Sequence, residues 1–145
     1  MSSLASIPVS VATAPVLPSG NAHAVLHEIL TMLGQLAAEK PGGAIDLRGL
    51  PLNSADFAIL RDQLGRGEVS VSVQAAGRLD IMETAIAGVW WHTHYTHEGD
   101  IITEIIEVTR CPDILASQPA DIRDGRYRLQ QQLGNASGAK EEPHV

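Results

Sequence analysis

Residues 90–97, "WWHTHYTH", hold two tryptophans and three of the chain's six histidines. Imidazole nitrogen suits zinc or nickel, and alternate residues of a strand share a face. Alternation through "VWWHTHYTH" sends Trp90, His92, His94 and Thr96 to one side and Val89, Trp91, Thr93 and Tyr95 to the other. His92 and His94 then stand about 6–7 Å apart on one face. They could share a metal ion, with His97 at the following turn as a third ligand. The plainer reading is a polar row on a two-sided sheet, because no carboxylate or cysteine stands beside it at a metal spacing. His23 and His27, one helical turn apart, carry the same two readings: a metal pair or a partly exposed helix flank.

Adjacent Trp90 and Trp91 cannot both face one core. Either the second indole is covered by the N-terminal arm or the closing helix, or it is an anchor for a partner, tryptophan being enriched at binding hot spots. Glu104 and Glu107 alternate across the next strand, where each could pair with a cross-strand histidine or arginine. Nothing sets them apart as a general acid and base. Cys111 has no marked base and reads as a buried, inert thiol. No P-loop, GxGxxG, GxSxG or HExxH motif occurs. The pattern points to binding rather than catalysis, with no cofactor.

The elements that position these residues are legible from periodicity. "NAHAVLHEILTMLGQLAAEK", residues 21–40, places Val25, Ile29, Met32 and Leu36 on one helical face, with Asn21 as N-cap and "KPGG" as stop. "AIDLRGLPL" reads as a short strand and turn. Asn53 or Ser54 caps "ADFAILRDQLGRG", with Asp56 three residues after Asn53 in the manner of a capping box. From Glu68 the period becomes two: "EVSVSVQ", "RLDIMETAI", "VWWHTHYTH" and "IITEIIEV" are strands with short connections, an antiparallel meander. A helical turn near Pro112 and a helix from about Pro119 follow. The expected fold is α+β: a β-meander of about four strands with two to three helices packed on one face.

Residues 1–20 read as an extended Pro- and Ser-rich arm with a short edge strand at residues 7–11. Residues 21–134 read as one domain and residues 135–145 as a disordered tail. Among the 145 residues 44% are apolar, enough for a core, and the net charge of −7 argues against a nucleic-acid partner. A single cysteine excludes an internal disulfide and suits a reducing cytoplasm. The N-terminus lacks the basic start of a signal peptide, and no run approaches the ~20 apolar residues of a membrane span. An exposed sheet edge leaves a homodimer open.

The stretch from residue 55 to residue 115 resembles the C-terminal domain of the HupH/HyaF/HoxQ family of hydrogenase expression/formation proteins. The resemblance rests on "GEVSVSV", on Glu83 before the bend and on "AGVWW". A charged turn, a strand ending "IEV" and the following "CPDIL" complete it. It implies a non-enzymatic accessory or chaperone role in maturation of NiFe uptake hydrogenases. The implied partner is the iron–sulfur small-subunit precursor or another accessory protein. Trp90, Trp91, His92, His94 and Tyr95, supported by Glu83, are the expected contact region.

Overall fold

Short connections and the period-two patterning of residues 68–108 produce one antiparallel sheet. The structure, a computed structural model, describes residues 14–74 and 76–138. The expected edge strand at residues 7–11 lies outside them. In chain order the elements are α1 (Asn21–Ala37), β1 (Gly43–Asp46), α2 (Ser54–Leu64), β2 (Ser70–Gln74), β3 (Arg78–Glu83), β4 (Val89–Tyr95), β5 (Ile101–Val108) and α3 (Pro119–Gly138). The sheet order is β1-β5-β4-β3-β2. Strands β2 to β5 are the expected meander, and β1 adds a fifth strand by pairing Ile45 with Ile106.

Register decides which residues share a face. Trp91 lies between Met82 on β3 and Ile106 on β5, and Val89 opposite Val108. These residues form the core with Ala22, Val25, Ile29 and Met32 of α1 and Leu60 and Leu64 of α2. Both helices therefore cover the Trp91 face, the α+β arrangement the patterning implies. The valines of β2 do the opposite. Val71 pairs with Ile81 and Val73 with Leu79, which places them on the face away from α1 and α2.

The turns are built by local chemistry. Thr84 donates its hydroxyl to the Val89 carbonyl at 2.9 Å and accepts from the Ile86 amide at 3.2 Å, closing the β3–β4 connection. Gly88 completes that turn at φ +87°, a conformation that side chains with a Cβ rarely adopt. Between β4 and β5, the Thr96 hydroxyl accepts from the Asp100 amide at 3.1 Å.

The N-cap of α1 lies one residue earlier than expected. Gly20 in the left-handed region is the N-cap, and Asn21, the first helical residue, donates from its side chain to the Pro51 carbonyl. α2 has the capping box that the spacing of Asn53 and Asp56 predicts: each side chain accepts from the other's amide at 2.9 Å. The Asp56 carboxylate also accepts from the Ser19 amide and hydroxyl, at 2.9 and 2.6 Å. These bonds, led by the Ser19 hydroxyl, hold the Asp56 carboxyl below its ordinary pKa. One cap thus ties the segment before α1 to the start of α2.

The chain divides into two compact units, Met1–Arg110 and Cys111–Val145. The second begins with a short 3-10 turn at Asp113–Leu115 and continues as α3. That helix runs to Gly138, past residue 134, and buries none of its residues. Among the described residues no helix is long and apolar enough to cross a membrane.

Losing an N-cap typically destabilises by about 1 kcal/mol. Asn53→Ala should therefore lower the unfolding free energy by about that amount, read as a reduced urea midpoint at unchanged slope. An unaltered midpoint would show that Ser19 and Asp56 hold the helix start without Asn53.

Candidate functional site

A carboxylate on an inward-facing strand position must find positive charge or hydrogen-bond donors, because burial removes its hydration. Glu104 on β5 shares a face with Ile106 and Val108 and is 2% exposed. The Trp91 indole Nε1–H donates to its Oε2 at 3.1 Å. Arg61 of α2 reaches the same oxygen at 3.4 Å, and Arg48, just after β1, approaches Oε1 at 3.7 Å. The guanidinium carbon of Arg61 lies 5.1 Å from the Trp91 ring centroid, so one cation contacts both the carboxylate and the aromatic face. Beside this cluster opens a cleft of about 250 Å³, bordered by Arg61, Arg66, Ser70, Trp91, Thr93 and Tyr95.

The other face of β4 carries Trp90, His92 and His94. Trp90 lies between Glu83 and Glu107 in register, and its Nε1–H donates to the Thr109 carbonyl at 3.1 Å. His92 is flanked by Ile81 and Ile105. Its Nε2 stands 3.2 Å from Glu107 Oε1, near enough for an ion pair but not aligned as a hydrogen bond. Burial lowers the His92 pKa and outweighs the opposing pull of Glu107. Glu107 thus takes a cross-strand histidine, as expected, whereas the two arginines that answer Glu104 come from α2 and from the turn after β1 rather than from a neighbouring strand.

The residues expected to form a contact region separate into two groups. Trp90 and Trp91 are only 6% and 4% exposed, so neither presents an open indole. Glu83, His92, His94 and Tyr95 are half-buried and reach the surface, and a bulge between His94 and Tyr95 shifts the register there. His97 is exposed in the turn. The described residues include no group of three or more His, Cys, Asp or Glu side chains able to hold a metal, so His92, His94 and His97 are not assembled as a ligand set. His23 and His27 are exposed on the flank of α1, at the rim of an apolar groove with Leu30 and Ile86. Cys111 is exposed, contrary to the expected buried thiol, since it follows the last strand rather than lying within it.

Sequence reading missed Arg48, Arg61 and Arg66. The signal for the first two was Glu104 itself, a carboxylate in phase with Ile106 and Val108. Which cations answer it depends on how α2 and the β1 turn cross the sheet.

Glu104→Gln keeps an acceptor for Trp91 but removes the charge that Arg48 and Arg61 neutralise. With both arginines partly hydrated, a loss of about 1–3 kcal/mol is expected, measured by chemical denaturation. Equal stability would mean that the two ion pairs contribute nothing. For His92, the lowered folded pKa means that the unfolded chain binds the proton more readily. Its contribution to stability is present above the unfolded value near 6.5 and falls as pH drops towards the folded one. NMR titration should show the His92 imidazole protonating below the ordinary histidine value of 6.5; protonation at or above that value would contradict its burial.

Residues 20–136 match the family described as HupH hydrogenase expression protein, C-terminal conserved region. The chain is 29% identical over 119 residues to the hydrogenase expression/formation protein HoxQ of Cupriavidus necator, covering 81% of this chain and 42% of that protein. It is 33% identical over 113 residues to HupQ of Azotobacter chroococcum, covering 77% and 40%. The chain thus spans about two-fifths of the length of these relatives. The solved structure of the hydrogenase expression protein HupH from Thiobacillus denitrificans superposes with a TM-score of 0.75 at 37% identity, covering 82% of this chain and 99% of that one. With the match running from before α1 through most of α3, the chain belongs to the HupH hydrogenase expression protein family, as a form of its C-terminal conserved region.

Proposed function

We propose that this protein is a non-catalytic accessory factor, a chaperone in the maturation of a NiFe uptake hydrogenase. It binds the iron–sulfur small-subunit precursor or another maturation factor. The observation that carries this reading is the family match across residues 20–136, in company with relatives named for hydrogenase expression and formation. The chemistry of the fold supports binding over turnover. Its buried ionisable groups are engaged in holding elements together: Asp56 in a helix cap, Glu104 between two arginines, His92 against Glu107. The single cysteine suits a reducing cytoplasm as the place of action.

The contact region centres on the outer half of β4. Tyr95 and His94 reach the surface there on opposite faces, His92 follows on the His94 face, and Glu83 lies on β3 opposite Trp90, towards the other end of the strand. Trp90 and Trp91 back this surface as packed, hydrogen-bonded supports. A rigid backing lowers the ordering penalty of the surface residues on binding.

Capture of a hydrogenase small-subunit precursor, or of the other hydrogenase accessory proteins, by the immobilised protein tests the reading. His94→Ala combined with Tyr95→Ala should weaken capture at least tenfold, about 1.4 kcal/mol, while circular dichroism remains that of the wild type. Undiminished capture by the folded double variant would remove β4 as the contact surface. Failure of the wild-type protein to capture any hydrogenase component would overturn the function itself.

A further inference from the structure

Arg61 is held in place by groups that use only part of its binding capacity. One of its nitrogens meets Glu104, and the guanidinium lies over Trp91 with Phe57 at 5.7 Å. A guanidinium carries five N–H donors in a planar fork. The Arg61 side chain is 58% exposed, and it borders the cleft beside Trp91. Arg66, just beyond the end of α2, borders the same cleft and has no hydrogen bond or ion pair among the described residues. The cleft therefore has one pre-positioned cationic fork and one uncommitted cation among its lining, which also includes Ser70 and Thr93.

The local charge is opposite to that of the chain. Glu104 is shared by Arg48 and Arg61, and Asp80 in the floor pairs with Arg78 at 3.2 Å. Of the ionisable groups lining the cleft, Arg61 and Arg66 are cationic and Asp80 is anionic, an excess of one positive charge in a chain of net charge −7. An isolated anionic group is attracted here, whereas a polyanion such as nucleic acid meets the repulsion of the whole molecule. The volume, about 250 Å³, falls just below the roughly 300–1,000 Å³ of small-molecule sites and suits a side chain better than a cofactor. Ser70 also opens β2, an outer strand of the described sheet, so an extended segment has a strand to lie along at the mouth of the cleft.

We propose that this cleft receives a carboxylate side chain from an extended acidic segment of a partner protein, with Arg66 and the free donors of Arg61 as its receptors. The proposal rests on the accessory-protein reading only for the partner being a protein.

The test is a calorimetric titration with an acetylated, amidated hexapeptide carrying two glutamates, beside its glutamine counterpart and inorganic phosphate at matched ionic strength. The Trp91 indole N–H resonance is followed in parallel. The glutamate peptide should bind saturably and shift that resonance, the glutamine peptide at least tenfold more weakly. Arg66→Ala, an exposed substitution that leaves the Glu104 cluster intact, should weaken the glutamate peptide to a similar degree. Equal binding of the two peptides, or binding unchanged in Arg66→Ala, would overturn the proposal. So would phosphate binding as tightly as the peptide, since the site would then be a simple anion site. No hydrogenase component enters this titration, so its failure leaves the capture experiment standing. Failed capture with intact peptide binding would remove the hydrogenase reading alone.

Discussion

The buried carboxylate of Glu104 organises the sheet and the helix above it. Placed among Ile106, Val108 and Trp91, it must be neutralised where it stands. That requirement recruits a donor from β4, a cation from α2 and a cation from the turn after β1. The Leu47 amide bonds to the Glu104 carbonyl at 2.9 Å, which brings the β1 turn, and Arg48 with it, to the same place. Four elements are thus referred to one residue. A hydrophobic side chain at position 104 could fill the space, but it would not specify which arginine comes where.

The same constraint shapes the surface. Because Glu104 holds Arg61 over Trp91, the guanidinium is oriented before any ligand arrives, and a pre-oriented fork loses little entropy on binding. The indole is withdrawn from solvent in the process, so Trp91 acts through the cation stacked on it rather than by direct contact. On the opposite face Trp90 is anchored at the Thr109 carbonyl, and His92 is kept largely dry beside Glu107. The tryptophan-rich strand is therefore a support on both faces, with its polar end at His94 and Tyr95 left nearer the solvent.

Membership in the HupH family gives these local facts a setting. The match includes α1, both tryptophans and most of α3, while the chain corresponds to about two-fifths of the relatives HoxQ and HupQ. The second unit carries a long helix with Ile122, Leu129 and Leu133 exposed along one side. Those side chains recur at i, i+7 and i+11, the spacing of an apolar stripe.

Periodicity alone determined much of this protein. The 3.6-residue recurrence of Val25, Ile29 and Met32, the Asn53–Asp56 spacing and the alternation from residue 68 onward specify two helices and a meander. These are local properties, written in consecutive residues. Alternation also placed Trp90 and Trp91 on opposite faces, correctly, but could not say that both would be buried. Nor could it show that β1 would join β5, that Ser19 would complete the cap of α2, or that Arg61 would lie over Trp91. Each of those depends on contacts between residues dozens of positions apart, which follow from how the helices cross the sheet. Only the tertiary structure decides that crossing, because it is set by packing the whole core at once.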